Sequence, residues 1–312
     1  MKNKEARGSW RRRWLIAGLS CLLAACQTPP PAQPAPPPSE PPPEPVVVAP
    51  KPPPRPPRLA LALGGGAARG FAHIGVIQVL EESGIKPDLV VGTSAGSLVA
   101  ALYASGKGGA ELQTLADAMD ETAFADWSFP GRGLLRGEAL AKFVREHTAG
   151  RQIEQMRLPL GIVATDLDSG QPILFQRGDP GVAVRASSAV PAVFQPVRIG
   201  SREYVDGGLV SPVPVRFAQQ MGGEVVIAVD ITAAPEGNAT GDPLRMLLQT
   251  FAIMGRSINN FELREADVVI RPKLAGVSSA DFGARKRSIL AGREAMLAAL
   301  PDLRARIVAK TR

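Results

Sequence analysis

Cysteine is scarce in this chain, and its placement excludes one kind of stabilisation. The 312 residues contain two cysteines, Cys21 and Cys26, and both lie near the N-terminus. If an export signal is removed before Cys26, that residue is the single cysteine left. An intramolecular disulfide is then excluded, even in an oxidising compartment.

Histidine is equally scarce, and this excludes the commonest serine-hydrolase machinery. The two histidines are His73 and His147. A triad in the order serine, acid, histidine needs a histidine late in the chain, and none follows residue 147. We expect His73 to be packed or bonded to a neighbouring loop, and His147 to be exposed at a helix end.

A strong positive charge is also lacking once the N-terminal segment is set aside. The full chain has 36 basic and 29 acidic residues, a net charge of +7. Six of the basic residues and one acid, Glu5, lie in residues 1–25, so the rest has 30 against 28, or +2. Nucleic acid is therefore not an expected partner.

The first 26 residues have the pattern of an export signal. The basic run Arg11-Arg12-Arg13 precedes the apolar stretch Trp14 to Ala25, which is too short for a stable membrane span. The stretch ends in Leu23-Ala24-Ala25-Cys26, which is similar to a bacterial lipobox. We predict a signal peptide over 1–25 and a lipid on Cys26; the alternative is an ordinary signal peptide. The lipobox pattern predicts the bacterial cell envelope.

Two details bear on the destination within that envelope. Gln27, in the second position of the mature chain, favours the outer membrane, with the protein facing the periplasm. The arginine run leaves twin-arginine export open as a route.

Residues 26–57 are predicted to be a linker that begins with the lipidated cysteine. Seventeen of the 31 positions from 27 to 57 are proline. This composition favours extended polyproline II, without a packed core. At about 3.1 Å per residue, the segment could reach about 90 Å. We interpret it as a semi-rigid spacer that holds a folded domain away from a membrane; the alternative is a disordered lead-in whose length has no role.

The remaining residues, 58–312, are enough for one large α/β domain. Short apolar runs predict strands, and apolar residues three or four apart predict helices. The predicted strands are 59–63, 88–91, 160–164, 171–176, 197–204, 225–229 and 268–271. The predicted helices are 70–83, 97–105, 109–120, 137–148, 213–221, 243–263 and 286–300. This alternation predicts a three-layer α/β/α fold with a mainly parallel central sheet.

The pentapeptide Gly92-Thr93-Ser94-Ala95-Gly96 lies between a predicted strand and an alanine-rich helix. A serine on such a turn projects its hydroxyl outward, and glycines at positions 92 and 96 let the backbone pass close on either side. The G-x-S-x-G pattern is common by chance, so the strand before it and the helix after it carry the prediction. Ser94 is therefore a candidate nucleophile.

A glycine-rich loop follows the first predicted strand: Gly64-Gly65-Gly66-Ala67-Ala68-Arg69-Gly70. Backbone N–H groups at a helix N-terminus form a site for anions. The spacing departs from G-x-G-x-x-G, which disfavours a nucleotide-dependent enzyme. An oxyanion hole fits better, because adjacent parallel strands would bring this loop and Ser94 to the same sheet edge.

Asp206 is the candidate base, in Tyr204-Val205-Asp206-Gly207-Gly208. Gly207 and Gly208 would allow a tight turn that keeps the carboxylate accessible; an Asp-Gly turn without a function is the alternative. A carboxylate is a weak base for a serine hydroxyl. Asp206 would therefore need partial burial, which raises its pKa, and a direct hydrogen bond to Ser94.

Taken together, these motifs resemble the patatin-like phospholipase or acyl hydrolase family, in the form of a bacterial lipoprotein. Four further segments are similar to bacterial members, in the same order along the chain. They are Ala72 to Val76, Ala164 to Leu167, Arg185 to Pro191 and Pro212 to Val215. The resemblance covers about 58–232 and is weak beyond that.

The resemblance implies a role for each matching residue. Ser94 would be the nucleophile and Asp206 the base of a Ser-Asp dyad. Backbone N–H groups around Gly65, Gly66 and Ala67 would stabilise the oxyanion, with Arg69 fixing that loop. No metal or cofactor is implied. Ala67 is a departure, because the family often has a third glycine there, and its methyl group can alter the loop or narrow the approach of substrate.

Two functional hypotheses follow. The first is a membrane-tethered serine acyl hydrolase, whose partners are a lipid or acyl-ester substrate and, through Cys26, a membrane. The second is a non-catalytic envelope lipoprotein that keeps the fold and binds an acyl ligand or a partner. The apolar stretches Phe124 to Phe129 and Leu134-Leu135 fit either a lipid-facing rim or a core.

Overall fold

A computed structural model describes residues 54–120, 125–127, 132–232 and 241–312. The signal peptide (1–25), Cys26 and most of the linker lie outside these residues and stay predictions. The described residues belong to one compact unit, Pro52–Arg312, and the domain start at residue 58 also stays a prediction. Among the described helices, none is long and apolar enough to cross a membrane.

Strands and helices alternate along the described chain. The strands are β1 (Leu59–Leu63), β2 (Leu89–Thr93), β3 (Gly133–Leu135), β4 (Leu160–Asp166), β5 (Pro172–Phe175), β6 (Ala192–Phe194), β7 (Val197–Ile199), β8 (Arg202–Asp206), β9 (Val225–Val229) and β10 (Val268–Ile270). The helices are α1 (Ala72–Glu82), α2 (Ala95–Ala104), α3 (Gly109–Ala118), α4 (Glu138–His147), α5 (Pro180–Ser187), α6 (Val215–Gln220), α7 (Pro243–Glu262) and α8 (Arg285–Lys310). Short 3-10 turns include Ala67–Phe71 before α1 and Gly207–Leu209 after β8.

Five neighbouring strands of the central sheet run parallel, in the order β10, β9, β1, β2, β4. β5 and β8 pair antiparallel with β4, and β7 pairs antiparallel with β8. A separate parallel pair is formed by β3 and β6. The predicted three-layer α/β fold with a mainly parallel sheet is confirmed.

The sequence of β1 shows how the layers form. All five residues of Leu59–Leu63 are buried, and alternate side chains point to opposite faces of the sheet. The leucines belong to the larger core, with α1, α2 and α8, whereas the alanines belong to the smaller core, with α6. Because both faces are covered, the strand is apolar throughout rather than alternating.

Strand β4 explains how distant parts of the chain meet. Strand β5 pairs along one side of β4, so β2 and β8 both pair along its other side. There β2 pairs with the first part of β4 and β8 with the last part. Thr93 is opposite Val163, and Asp206 is opposite the next residue, Ala164. β2 runs parallel to β4 and β8 antiparallel, so their carboxyl ends face each other. Ser94, which follows β2, therefore meets Asp206.

Some predicted elements were wrong. The strand predicted over 197–204 is two strands, β7 and β8, joined at Gly200, whose φ of 61° makes a turn. Helix α5 and the short strands β3 and β6 were not predicted. Helix α5 does have a local signal, since Asp179 caps it and Pro180 begins it.

The last helix is longer than predicted. It was expected to end at residue 300, before Pro301, whereas α8 continues through this proline to Lys310. Proline removes one helical hydrogen bond. Leu303, beyond the proline, is fully buried in the larger core, and this burial offsets the break.

Candidate active site

Ser94 occupies a sharp turn between β2 and α2. Its backbone has φ 52° and ψ −124°, which residues other than glycine rarely adopt and which costs about 1–3 kcal/mol. Such a conformation persists where neighbouring groups hold it. The Ser94 N–H donates to Ser187 Oγ at 2.8 Å, and Ser97 Oγ donates to the Ser94 carbonyl at 2.6 Å. The turn leaves Ser94 half-buried at the N-terminus of α2.

Gly92 and Gly96 are required by close backbone packing at this turn. A Cβ on Gly92 would lie 2.4 Å from the Gly96 carbonyl oxygen, and a Cβ on Gly96 would lie 2.1 Å from the Leu63 carbonyl oxygen. Both contacts are with backbone, which cannot move aside as a flexible side chain can. The two glycines therefore serve the close backbone approach inferred from the pattern.

Asp206 ends β8 and faces Ser94. The Ser94 hydroxyl donates to Asp206 Oδ2 at 2.7 Å, and the Gly208 N–H donates to Oδ1 at 2.6 Å. Only 6% of Asp206 is exposed. Gly207 lies against β4, where a Cβ would be 2.2 Å from the Val163 carbonyl oxygen. The Asp-Gly-Gly segment is thus a turn that also orients the carboxylate.

Burial raises the pKa of Asp206 to about 6, from an ordinary value of 3.8. The hydrogen bonds from Ser94 and Gly208 lower this pKa and offset part of the effect of burial. The carboxylate is therefore more basic than an exposed aspartate, yet largely ionised at neutral pH. A base with this pKa, at hydrogen-bond distance, is suited to accept the serine proton.

The glycine-rich loop lies beside Ser94. A Cβ on Gly65 would be 3.1 Å from Ser94 Cβ, so a larger residue would crowd the nucleophile. The Gly65 N–H donates to the Pro212 carbonyl at 2.9 Å. This amide is already engaged, so the oxyanion donor expected at Gly65 is not free, and Gly65 contributes space instead.

The other residues of this loop keep the expected arrangement in part. Within the described part of the chain, no hydrogen-bond acceptor is found for the backbone N–H of Gly66 or Ala67, so both stay candidate donors. Ala67 is exposed and has φ 50°, in the region that favours glycine. Arg69 is buried, and its N–H donates to the Gly66 carbonyl at 3.1 Å, which closes the turn.

The histidines lie apart from this hydrogen-bonded pair. His73 is buried, with Nε2 2.8 Å from the Gly64 carbonyl oxygen, which confirms a loop-bonding role. Burial lowers the pKa of His73 to about 4, so the ring is neutral and Nε2–H donates. His147 is half-buried rather than exposed, because its ring stacks on Phe143 and its Nδ1 lies 2.9 Å from the Phe143 carbonyl oxygen.

Sequence reasoning missed the hydroxyl groups that attach the site to β4. Ser187 Oγ donates to the Val163 carbonyl at 2.5 Å while it accepts the Ser94 N–H. Thr165 Oγ1 donates to the Asp206 carbonyl at 2.8 Å. Both residues lie inside segments that carry the family resemblance, and that position is the signal that could have found them.

A second hydroxyl chain connects the site to α7, for which the sequence suggested no role. Thr93 Oγ1 donates to the Ser211 carbonyl at 2.9 Å, and Ser211 Oγ donates to Glu262 Oε1 at 2.6 Å. Glu262 is buried, and burial raises its pKa. Helix α7 therefore supports the loop that follows Asp206.

Two other expectations concern the surroundings of the site. Across the residues that the structure covers, no group of three or more histidine, cysteine or acidic side chains could hold a metal ion. Part of the apolar stretch 124–129 lies outside the described residues, but Trp127 is 69% exposed and pairs with Leu135. Trp127 is therefore not core.

The fold and this geometry define a class: an α/β protein with a serine on a nucleophile elbow, hydrogen-bonded to a buried aspartate. The family model described as patatin-like phospholipase matches residues 61–218. The chain therefore belongs to the patatin-like phospholipase family, and this family suggests hydrolysis of lipid esters.

Individual relatives agree with this assignment. An uncharacterized NTE family protein of Mycobacterium tuberculosis is 38% identical over 186 residues, which are 59% of this chain and 51% of the relative. The patatin-like phospholipase domain-containing protein 6 of Homo sapiens is 32% identical over 196 residues, 60% of this chain but 14% of the relative. The chain thus spans about half the length of the mycobacterial relative.

A solved structure agrees at the level of the fold. VipD from Legionella pneumophila matches with a TM-score of 0.55 at 14% identity, covering 80% of this chain and 67% of that chain.

Proposed function

We propose that this chain is a serine acyl hydrolase that cleaves lipid or phospholipid esters with a Ser94–Asp206 dyad. The observation that carries the proposal is the 2.7 Å hydrogen bond from Ser94 Oγ to the buried Oδ2 of Asp206. The membership in the patatin-like phospholipase family supplies the substrate class.

In the proposed first step, Ser94 Oγ attacks the ester carbonyl carbon while its proton passes to Asp206. The carbonyl oxygen becomes an oxyanion, which the N–H groups of Gly66 and Ala67 stabilise at the N-terminal side of the first helix. The carbon–oxygen bond to the leaving alcohol then breaks, and that alcohol takes the proton from Asp206. The product of this step is an acyl-enzyme on Ser94.

In the second step, Asp206 takes a proton from water, whose oxygen attacks the acyl carbon. Collapse of the second oxyanion breaks the bond to Ser94 Oγ, which recovers its proton from Asp206. The fatty acid leaves, and both side chains return to their first state. In each step Asp206 accepts one proton and then releases it, so no histidine is required.

A fluorophosphonate probe on the full chain tests the proposal, with short-chain acyl esters as a second readout. We expect labelling at Ser94 and ester hydrolysis, both lost in Ser94→Ala, with Asp206→Asn slower on the order of 10⁴-fold. Ser201→Ala, in the exposed turn after β7, is the matched control and keeps full activity. An unlabelled, inactive parent chain would instead favour the non-catalytic binding lipoprotein.

We further propose that the chain is anchored in the bacterial envelope through a lipid on Cys26, with the proline-rich segment as its spacer. The lipobox-like Leu23-Ala24-Ala25-Cys26 supports this placement. After an alkaline carbonate wash, which releases proteins held only at the membrane surface, Cys26→Ser is expected in the soluble fraction of a cell extract, whereas Cys21→Ser stays in the membrane. Equal fractionation of the two variants contradicts the anchor.

A further inference from the structure

Helix α7 buries polar residues and leaves part of its apolar surface exposed. The residues it buries are Gly255, Asn259 and Glu262. Five of its large apolar residues are instead exposed: Met246 by 57%, Leu248 by 38%, Ile253 by 51%, Met254 by 49% and Phe261 by 69%. Its other large apolar residues, Leu244, Leu247, Phe251 and Ile258, are half-buried. A helix of a water-soluble domain normally buries its apolar side.

Four of the five exposed residues form one stripe, and Leu248 lies apart from it. The spacing is seven, one and seven residues between positions 246, 253, 254 and 261. At about 100° per residue, this spacing places all four on one side of the helix. The buried positions 255, 259 and 262 fall on the opposite side. We call the residues Met246, Ile253, Met254 and Phe261 the outer stripe.

The inner side of α7 is fixed to the catalytic loops. Glu262 accepts the Ser211 hydroxyl at 2.6 Å, and Ser211 belongs to the loop after Asp206. A Cβ on Gly255 would lie 3.4 Å from the ring of Pro212, whose carbonyl accepts the Gly65 N–H. The outer stripe therefore lies on the side of α7 that faces away from the loop after Asp206.

Charged residues accompany the stripe in the pattern of an interfacial helix. Arg245 lies on one flank of the stripe, but it is paired with Asp242 at 3.2 Å. Arg256 is exposed on the same flank, at about 100° per residue, and the exposed Arg264 places its guanidinium 5.3 Å from the centroid of the Phe261 ring. Their stems can lie along apolar surface while their guanidinium groups contact phosphates. Apolar side chains on one face with arginine at the border are typical of helices that lie in a membrane surface.

We propose that the outer stripe of α7 docks on the surface of an anionic phospholipid bilayer. This inference rests on the proposed function, since a lipid hydrolase must reach esters at such a surface. Docking through α7 brings the loop after Asp206, which its inner side contacts, to within about one helix diameter (10–12 Å) of the membrane surface. The stripe enters the acyl boundary, and Arg256 and Arg264 bind lipid phosphates.

A fluorescent label on the stripe tests the docking. The full chain carries Cys21→Ser and Cys26→Ser, so that no native thiol or acyl anchor contributes, and Ser94→Ala, so that lipid is not consumed. Nitrobenzoxadiazole is attached to Ser257→Cys, an exposed position on the stripe side of α7. The matched control carries it at Leu297→Cys on α8, where Leu297 is 51% exposed.

With vesicles of phosphatidylethanolamine and phosphatidylglycerol, we expect a blue shift at position 257 and none at 297. Ile253→Ser with Phe261→Ser abolishes the shift, and Arg256→Glu reduces it. No shift at 257, or an equal shift at 297, overturns the proposal. A signal that is already blue-shifted without lipid and varies with protein concentration also overturns it, because a second copy then covers the stripe.

The readout is independent of catalysis. If the labelled variant shows a blue shift but the parent chain, which keeps Ser94, fails to react with the fluorophosphonate, the proposed chemistry alone is refuted. Labelled Ser94 without a blue shift would refute the docking alone.

Discussion

The strained backbone of Ser94 is held at its N–H by the side chain of Ser187. The Ser187 hydroxyl accepts the Ser94 N–H and donates to the Val163 carbonyl, so it attaches the elbow to β4. Ser187 is fully buried, and water cannot replace it. At the scale of single residues, the position of the nucleophile therefore depends on a serine that touches no substrate.

Ser187→Ala is expected to lower kcat about tenfold to a hundredfold with little change in KM. It leaves the Ser94 N–H without its acceptor in a buried setting, which costs about 1–3 kcal/mol, and the hydroxyl of Ser94 then departs from Asp206. Steady-state kinetics on a soluble acyl ester measure the split between kcat and KM. The neighbouring Ser188→Ala is the control. Loss of stability with kcat unchanged would show that Ser187 supports only the fold.

Ala67 is strained in a different way, because its φ of 50° lies where glycine is usual. Ala67→Gly is expected to leave the free energy of unfolding unchanged or raise it by up to about 1 kcal/mol. Relief of about 1–2 kcal/mol of left-handed strain exceeds the greater freedom of glycine in the unfolded chain, about 0.4–1 kcal/mol. Urea unfolding measures the difference.

The adjacent Ala68→Gly supplies the comparison, since Ala68 is buried and is not among the residues with positive φ. That change is expected to destabilise by about 1 kcal/mol through lost packing and added freedom. Equal losses at positions 67 and 68 would contradict the strain at Ala67.

The residues of the site differ in how far the sequence could predict them. Ser94 and Asp206 lie in short motifs whose glycines indicate the backbone geometry, so the contact between the two side chains could be predicted. Ser187 makes its contacts across 93 and 24 positions of the chain, and no local pattern encodes these. The hydrogen bond that occupies the Gly65 N–H could not be predicted either, because its acceptor, the Pro212 carbonyl, lies in another loop.

At the scale of elements, α1 and α8 cross at two glycines. A Cβ on Gly75 would lie 2.0 Å from the Ile289 carbonyl oxygen, and a Cβ on Gly292 would lie 2.0 Å from the Ala72 carbonyl oxygen. The two backbones are thus in direct contact, and each glycine makes room for the other helix. This crossing fixes α8 over the helix that follows the glycine-rich loop.

Gly292→Ala is expected to destabilise the protein by about 1–3 kcal/mol. Alanine gains about 1 kcal/mol of helix propensity over glycine, but its methyl group pushes the two helices apart and overpacks the contact. The midpoint of urea unfolding measures the change. Gly241→Ala, where no atom of the described residues lies within 4 Å of the added methyl, changes it by less than about 0.5 kcal/mol. A Gly292→Ala protein as stable as its parent would exclude close contact at the crossing.

Elements were predictable where local pattern and tertiary packing agree. The buried strands β1, β2 and β9 are short apolar runs, which predict strands without further context. The hairpin of β7 and β8 was missed because its turn at Gly200 interrupts an otherwise strand-like run. Helix α8 passes Pro301 because the burial of Leu303 outweighs a local break, and burial of that kind is set by the rest of the fold.

At the scale of the whole molecule, the burial that suits Asp206 to act as a base also lowers the free energy of unfolding. Its folded pKa of about 6 lies above the ordinary 3.8, because the ionised carboxylate is desolvated. Below pH 4 the group is protonated in both the folded and the unfolded state. As the pH rises from about 4 to 6, the unfolded chain loses its proton first, so the free energy of unfolding falls. Above pH 6 the free energy of unfolding falls no further, and the total decrease is about 3 kcal/mol.

The same ionisation switches the proposed activity on. We expect kcat/KM for a soluble acyl ester to rise with pH through about 6, as Asp206 becomes the base, and then to level off. A profile measured on the parent chain tests this. A rise centred near pH 4 would mean that Asp206 is solvated in the free enzyme.

Asp206→Asn separates the two effects, because it keeps the shape of the side chain and removes its charge. The variant is expected to lose hydrolysis yet to exceed the parent in unfolding free energy at pH 8, by up to about 3 kcal/mol. The excess should shrink as the pH falls through 6 and vanish below about 4, where the parent carboxyl is neutral as well. Urea unfolding of both proteins at pH 4 and pH 8 measures it. An excess that is equal at the two pH values would trace the stability change to packing, whereas its disappearance in acid would assign it to the buried charge that the dyad requires.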